Sequence, residues 1–226
     1  MISTSKLSYR YANAPAIEFD DLDVPQGGVL LLKGASGSGK STWLALAAGL
    51  LKATGGEITV AGQALSQLDA ARGDAWRAKT IGFLPQRLHL SEALTVADNL
   101  QLAQWAAGQA ADAHAVRQAL AALEVDDLQH RKPSQLSGGQ AQRVALARAT
   151  LLQPLVILTD EPTASLDDEA CSVALSLLCA TAERLKATLV IATHDARVKK
   201  HFEAVFRPFL SVKLASKPID MCASSS

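Results

Sequence analysis

Hydrophobic residues in the first third of the chain occur in short runs, a pattern typical of strands. The run at 29–33 is apolar almost throughout, and a glycine-rich segment follows it directly. A buried strand that leads through a loop into a helix has this pattern. The elements predicted here are edge or meander strands at 2–11 and 17–22, a buried strand at 29–33, a helix over about 40–51 ended by Gly55 and Gly56, and a strand at 57–60.

Residues 88–123 follow a different pattern. This stretch is rich in Ala, Leu and Gln and poor in β-branched residues, a composition that favours helices. We therefore predict a helical subdomain inserted into a sheet domain. The residues that fall at helical spacing are Leu100, Ala103, Ala107, Ala110 and Ala111.

The alternation of strands and helices resumes in the last third of the chain. Residues 155–158 and 188–192 are apolar on both faces, as central parallel strands are, and a helix is predicted between them over 168–185. This alternation indicates an α/β layered core. The predicted organisation is a discontinuous core of 1–87 and 149–210, a helical subdomain at 88–148 and a C-terminal tail at 211–226.

Composition narrows the class of protein. The hydrophobic fraction of 49% is ample for a buried core and excludes a wholly disordered chain. Lys and Arg number 22, as do Asp and Glu, so the formal net charge is zero. Proteins that hold nucleic acid by its phosphates are usually basic, and an aromatic fraction of 4% offers little for base stacking. We expect no nucleic acid partner.

The sequence predicts neither a membrane span nor disulfides. The longest apolar candidate, 43–51, falls well short of 18 residues, and residues 1–20 lack the basic and apolar segments of a secretory signal. Cys171, Cys179 and Cys222 form no CxxC pair. A reduced chain in the cytoplasm is the simplest expectation.

Residues 34–41 match the phosphate-binding pattern G-x-x-x-x-G-K-[ST] in full, between a predicted strand and a predicted helix. Glycines let backbone N–H groups approach phosphate oxygens without Cβ clashes, and the helix that begins near Lys40 adds the positive end of its dipole. We expect the Lys40 ammonium to contact the β- and γ-phosphates, the Ser41 hydroxyl to ligate Mg²⁺, and Thr42 to add a donor to the α-phosphate. The predicted phosphate-binding residues are Gly34, Ala35, Ser36, Gly37, Ser38, Gly39, Lys40, Ser41 and Thr42.

The strand predicted at 155–158 ends in a pair of acids. An acid at such a strand end can reach the magnesium ion of a phosphate-loop fold, and we assign this role to Asp160. Glu161 lies one residue further, where the side chain turns elsewhere, and is placed to accept a proton from an attacking water. His194 follows a third strand, 188–193, on the same edge of the sheet, where it could hydrogen-bond the γ-phosphate or orient the water.

The pentapeptide Leu-Ser-Gly-Gly-Gln at 136–140 makes the interpretation specific. This motif, the segment 141–149 after it, the tripeptide Ser165-Leu166-Asp167, Gln86 and His194 occur in an order that resembles the ATP-binding-cassette (ABC) family. The resemblance covers about residues 5–207. Physically the motif is a second anion site, because a serine suits a helix N-cap and two glycines expose N–H groups at the helix start.

The resemblance implies a fold and an assembly. The fold is α/β: a P-loop NTPase (RecA-like) core with an N-terminal antiparallel β subdomain and an inserted α-helical signature subdomain. Members of the family dimerise head to tail, so that the signature of one copy closes over the ATP held by the phosphate loop of the other. The expected partner is therefore a second copy or another cassette. The residues implied to close over ATP are Ser137, Gly138, Gly139 and Gln140.

The resemblance also implies individual roles. Tyr11 is similar to the aromatic residue that stacks on adenine, with Tyr9 as a neighbouring candidate. Gln86 would contact magnesium and the attacking water, and Asp167 would couple the two sites of the dimer. The catalytic residues implied are Glu161 as the general base, His194 as the γ-phosphate sensor, Gln86 and Lys40; the magnesium ligands are Ser41, Gln86 and Asp160.

The function implied is hydrolysis of ATP, with Mg²⁺, by a subunit that drives integral membrane transporter subunits from the cytoplasmic face of the membrane. The compact length and the segment 132–136 look like the lipoprotein-releasing, macrolide-exporting and cell-division group, and a nutrient-importer ATPase is the next alternative. A soluble ABC ATPase of DNA repair or translation belongs to another class, disfavoured by the lack of sustained heptads and by the zero net charge. Gly27-Gly28, Thr159 and the stretch from Phe209 depart from the family pattern outside the catalytic set.

Overall fold

The computed structural model describes residues 1–164, 166–205 and 209–214. Two five-stranded sheets and seven α-helices make up this part of the chain. The strands are β1 (Ile2–Tyr9), β2 (Ile17–Glu18), β3 (Leu22–Val24), β4 (Val29–Lys33), β5 (Gly55–Val60), β6 (Gln63–Ala64), β7 (Ile81–Leu84), β8 (Val156–Asp160), β9 (Thr188–Thr193) and β10 (Leu210–Lys213). The helices are α1 (Lys40–Ala47), α2 (Ala70–Thr80), α3 (Val96–Ala106), α4 (Ala113–Ala121), α5 (Gly138–Thr150), α6 (Asp168–Leu185) and α7 (Ala196–Val205).

The N-terminal sheet is antiparallel in every pairing. Strand β1 lies at its centre and pairs with β2, β3 and β5, and β6 extends it beyond β5. The register between β1 and β5 shifts between Ser5 and Ser8. This sheet is the predicted antiparallel β subdomain, with the segment predicted as one strand at 17–22 divided into β2 and β3.

The second sheet is parallel, in the order β10-β4-β9-β8-β7. Its central strands are buried on both faces, because helices and the antiparallel sheet cover it from either side. Leu30 and Leu32 of β4 face the core shared with α1 and the antiparallel sheet, whereas Val29 and Leu31 face the core shared with α5 and α6. The carboxyl ends of β4, β8 and β9 therefore meet at one edge.

Helix α1 joins the two sheets. It contacts β5 of the antiparallel sheet and β8 and β9 of the parallel sheet. Trp43, Leu44 and Leu46 are fully buried there. The helix begins directly after the glycine-rich loop, so this packing holds the loop against the carboxyl edge of the parallel sheet.

The helical subdomain consists of α3 and α4 packed on α5. A capping box of Thr95 and Asp98 begins α3, and an equivalent box of Ser137 and Gln140 begins α5. The helical spacing predicted through Ala107, Ala110 and Ala111 was wrong beyond Ala106. Ala107 caps α3, Gly108 follows with a φ of 69°, and a loop leads to α4.

Several elements had no clear signal in the sequence. Helix α2 buries only Thr80, so it has no apolar stripe to reveal it. Strand β10 pairs with β4 and crosses the predicted start of the tail at 211, so residues 211–213 belong to the parallel sheet. Helix α1 ends at Ala47 and not near residue 51, because Gly49 adopts a φ of 65°. The rest of the predicted tail, 215–226, lies outside the described residues.

Candidate nucleotide-binding site

The loop between β4 and α1 is bent by glycines in the left-handed region of φ. Gly37 has a φ of 79° and Gly39 a φ of 91°, and Gly39 is the N-cap of α1. A Cβ at Gly34 would collide with the Ser38 hydroxyl and approach the Leu214 carbonyl to 2.9 Å. The loop is thus a tight backbone turn with the N-terminus of an eight-residue helix behind it, an arrangement suited to anions.

The Lys40 side chain is folded back onto its own loop. Its Nζ donates to the carbonyl oxygens of Gly34 (2.8 Å) and Ala35 (3.1 Å) and lies 3.5 Å from Oε1 of Glu161. Only 7% of the side chain is exposed. The cation has no directly hydrogen-bonded anion among its partners in the described residues, so phosphate oxygens would be stronger partners than the carbonyls that hold it.

Ser41 and Asp160 face each other across the loop. The Ser41 hydroxyl donates to Oδ2 of Asp160 at 2.8 Å. Burial raises the pKa of the Asp160 carboxyl, the hydrogen bond from Ser41 opposes this, and the neighbouring Glu161 charge adds to it. A half-buried carboxylate beside a hydroxyl supplies two hard oxygen ligands of the kind that Mg²⁺ takes, and a bound cation would offset the cost of partly burying the charge.

The Asp160→Asn variant tests this electrostatic cost. Because the pKa of Asp160 is raised in the folded chain, the ionised carboxylate lowers the free energy of unfolding. This destabilisation disappears as pH falls through the folded pKa and the carboxyl is protonated. At neutral pH we expect the nucleotide-free variant to melt at a higher temperature than wild type, because the amide carries no charge to desolvate. Mg²⁺-dependent hydrolysis should be lost at the same time. Asp127→Asn, at an exposed position, is the control in calorimetry; a lower melting temperature for Asp160→Asn alone would contradict the assignment.

Glu161 is turned away from the strand direction by its backbone. Its φ of 48° lies in the left-handed region, uncommon for a residue other than glycine. Oε2 accepts from the Thr193 hydroxyl at 2.8 Å, and Oε1 lies 2.7 Å from Nδ1 of His194. Burial by itself would raise the pKa of Glu161, but the hydrogen bonds from His194 and Thr193 outweigh it and lower the pKa. The carboxylate is therefore ionised at neutral pH and oriented by two neighbours.

These side chains surround one open cavity of about 410 Å³. Tyr11 lines this cavity, and its hydroxyl lies 3.0 Å from the Thr42 hydroxyl. Tyr9 does not line the cavity but packs edge-on behind Tyr11, with ring centroids 4.7 Å apart. The residues that line the cavity are Tyr11, Ile17, Ser36, Gly37, Gly39, Lys40, Ser41, Thr42, Gln86, Asp160, Glu161 and His194.

The signature residues lie elsewhere on the molecule. None of Ser137–Gln140 lines the cavity, although all are described. The Ser137 hydroxyl accepts from the Gln140 N–H at 3.3 Å, and a Cβ at Gly138 or Gly139 would meet nothing within 4 Å. Asp167 caps α6 by accepting from the Ala170 N–H at 2.8 Å. The phosphate loop and the signature, the two predicted anion sites, therefore lie apart on one chain. Ser165 lies outside the described residues.

Two contributors to the site were not predicted. Thr193 orients Glu161, and its only signal in the sequence was a polar residue that follows the apolar run 189–192 of β9. Ile17 lines the cavity beside Tyr11, and its Cγ2 lies 3.0 Å from a Cβ built at Gly39. Apolar contacts of this kind depend on how the antiparallel sheet meets the loop, which no local pattern reports.

Comparison with known proteins identifies the family. A family model described as ABC transporter matches residues 18–164, more than half of the chain. The chain belongs to the ABC transporter family. A lipoprotein-releasing system ATP-binding protein LolD from Xanthomonas campestris pv. campestris (strain 8004) is 37% identical to this ABC protein over 91% of this chain and 88% of its own length. LolD from Xylella fastidiosa (strain 9a5c) is 39% identical over 82% and 78%, respectively.

Solved ABC structures share the fold. A dimeric structure of MJ0796, a bacterial ABC transporter cassette, has a TM-score of 0.79 at 31% identity and covers 94% of each chain. A post-hydrolysis state of MJ0796 with bound ADP and Pi gives 0.76 at 31% identity, covering 89% of this chain and 91% of that one. The predictions of an ABC ATPase and of its P-loop fold are confirmed. Among the described residues, every helix is too short or too polar to span a membrane.

Proposed function

We propose that this ABC ATPase binds MgATP in the cavity between α1 and the carboxyl ends of β8 and β9, and that two copies close around the nucleotide to drive membrane transporter subunits. The observation that supports this most is that the groups expected to bind nucleotide lie at two separate places on one chain. The cavity is lined by the proposed ligands of phosphate and Mg²⁺ and by the proposed catalytic pair: Lys40, Ser41, Gln86, Asp160, Glu161 and His194. The signature residues 137–140 lie outside it. A second chain would complete the site.

The residues present fit a nucleotide and its metal. The Lys40 ammonium and the loop N–H groups would hold the β- and γ-phosphates, and Ser41, Asp160 and Gln86 would hold Mg²⁺. When bound, Mg²⁺ neutralises phosphate charge and polarises the γ-phosphoryl group. Tyr11 lines the cavity with 45% of its surface exposed, so it is the residue we assign to stacking on adenine.

Glu161 would take the proton of the attacking water. Its carboxylate is ionised and lies beside His194, where Nδ1 contacts Glu161 and Nε2 is left for a γ-phosphate oxygen. In the structure the Lys40 ammonium lies 3.5 Å from Glu161. If Lys40 turns to the phosphates, the carboxylate loses a neighbouring cation and its affinity for a proton increases. Nucleotide binding would thus prepare the base.

The signature of a second copy would cover the nucleotide. The N-terminus of the 13-residue α5 presents open space at Gly138 and Gly139, which allows close approach of a phosphate. The dimeric MJ0796 structure, which shares this fold, supports such an assembly. Asp167 begins α6 and would contribute to coupling between the two sites.

The Ser137→Arg variant tests the closing role. A long cation at the signature should leave MgATP binding by the single chain unchanged but abolish the nucleotide-dependent dimer, measured by sedimentation velocity in the Glu161→Gln background. Loss of the cap should cost about 1 kcal/mol of stability. Thr95→Ala removes the same kind of cap from α3 and should dimerise normally. An ATP-dependent dimer of Ser137→Arg would rule out this arrangement.

A groove outside the nucleotide cavity offers a surface for membrane subunits. It measures about 550 Å³ and lies between α2, β7, α3 and α5. Leu50 is 56% exposed and Leu102 is 38% exposed along it. Exposed apolar side chains that line a groove are typical of a site where a helix of a partner protein docks. We assign this groove to the membrane partner, which would place the chain peripherally on the cytoplasmic face.

The proposed class of transport is export or release of lipoproteins. The LolD proteins of Xanthomonas and Xylella, which are lipoprotein-releasing by name, support this class over the importer and over nucleic-acid ATPases. Affinity purification of the tagged chain from detergent-solubilised membranes tests the proposal. We expect an integral membrane partner with the wild type and none with Leu50→Asp. Recovery with ribosomes or DNA, or no membrane partner, would overturn it.

A further inference from the structure

The Arg197 guanidinium joins the loops that follow β8 and β9. Its Nε and Nη2 donate to the Asp195 carboxylate at 2.8–3.0 Å. Its Nη1 donates to the Leu166 carbonyl at 3.0 Å and to Oδ1 of Asp168 at 2.8 Å. Asp167 lies between the last two partners, so one side chain holds the backbone just before it and the side chain just after it.

Asp195, which accepts from Arg197, is linked by hydrogen bonds to the carboxylate of Glu161. Asp195 also accepts from the Thr163 hydroxyl at 2.9 Å, and its own N–H donates to the Thr193 hydroxyl at 3.0 Å. That hydroxyl donates to Glu161. Hydrogen bonds from Arg197, stronger than the opposing effect of burial, lower the pKa of Asp195 to about 2, so the pair stays charged throughout the neutral range.

This arrangement differs from an ordinary surface ion pair. The Lys199–Glu203 pair on the same helix joins two exposed side chains one turn apart, and such pairs contribute little. The Asp195 side chain is only 16% exposed, and Arg197 contacts it through a fork of two nitrogens. The hydrogen bond to the Leu166 carbonyl holds the main chain in place, whereas an ion pair between two exposed side chains does not.

We propose that Arg197 is a positioning residue that holds the Leu166–Asp168 segment to the loop of His194, so that Asp167 of one chain responds to the nucleotide state of its own site. This inference rests on the proposed function, because it requires two chains closed around nucleotide. Arg197 contacts neither the cavity nor the predicted phosphate ligands among the described residues. Its effect therefore passes through the two loops.

The test replaces Arg197 by methionine, which keeps an apolar stem but removes the fork. We expect kcat for ATP hydrolysis to fall about tenfold and the cooperativity in ATP to be lost, as for a typical coupling between sites. MgATP affinity of the single chain should stay within twofold. Lys199→Met on the same helix should behave as wild type, and Arg197→Lys, with one donor group, should recover part of kcat.

A double-variant cycle with Asp167→Ala distinguishes positioning from general stabilisation. If Arg197 acts through Asp167, then Arg197→Met should add no further loss of kcat in the Asp167→Ala background. Losses that multiply, or unchanged cooperativity in Arg197→Met, would overturn the inference. If Arg197→Met fails to fold, Asp168→Asn takes its place, because the Asp168 side chain is 92% exposed. We expect this variant to lose kcat and cooperativity in the same direction but to a smaller extent.

The same measurements separate this inference from the proposed function. Wild-type hydrolysis that is cooperative in ATP, with ATP-dependent dimers of Glu161→Gln, upholds the function whatever Arg197 does. If both measurements fail in chains that keep Arg197, the proposed function is removed and the inference with it. Cooperative wild-type hydrolysis with an unaffected Arg197→Met removes the inference alone.

Discussion

Glu161→Gln should lower the rate of ATP hydrolysis by about a thousandfold, within the range that a general base contributes. The amide keeps the size and the hydrogen-bonding shape of the side chain but cannot accept the water proton at neutral pH. The Thr193 hydroxyl can still donate to the remaining carbonyl oxygen, so the loop geometry should persist. MgATP affinity should remain within a few-fold of wild type, as measured by equilibrium titration alongside steady-state phosphate release.

The control for this variant is Glu169→Gln in the first turn of α6, an exposed acid outside the cavity. It should retain wild-type turnover. Turnover at the wild-type rate in Glu161→Gln would remove Glu161 as the base. Loss of MgATP binding in that variant would mean that the carboxylate acts chiefly in holding the loop.

Lys40→Ala should weaken MgATP binding about a hundredfold. The ammonium is 7% exposed and its present partners are two carbonyl oxygens and a carboxylate at 3.5 Å, so phosphates would gain charge-assisted hydrogen bonds from it. Such bonds contribute about 1.5–3 kcal/mol each, and a lysine that contacts two phosphates would contribute more than one. Isothermal titration with MgATP and MgADP measures the loss.

The matched control is Lys52→Ala, which removes an exposed lysine beyond the C-terminus of α1. Its MgATP affinity should equal that of wild type. If Lys40→Ala bound MgATP as tightly as wild type, the assignment of the loop as the phosphate site would fail, whatever the family.

The proposed phosphate site could be recognised in the sequence because its chemistry is local. A glycine-rich turn, a lysine and a serine at fixed spacing need no distant contact to identify them, and the structure places Lys40 and Ser41 in one cavity with Asp160. The long helix α6 and the apolar strands β4 and β9 were also found close to their predicted bounds. In each case the local pattern and the buried environment agree.

Features that depend on three-dimensional packing escaped prediction. Helix α2 has almost no buried face, and β10 is an edge strand with mostly exposed residues, so neither carries an apolar period. The orientation of Glu161 comes from a left-handed backbone that strand alternation does not anticipate. The contacts of Arg197 with Leu166 and Asp168 join positions about 30 residues apart, and only the folded chain shows that they meet.

Sedimentation velocity of Glu161→Gln with and without MgATP tests the central claim most directly. We expect a single chain without nucleotide and, with MgATP, a dimer that retains two ATP molecules and disappears when Ser137→Arg is added to the same chain. A species that stays monomeric at saturating MgATP, both alone and with its membrane partner, would contradict the claim.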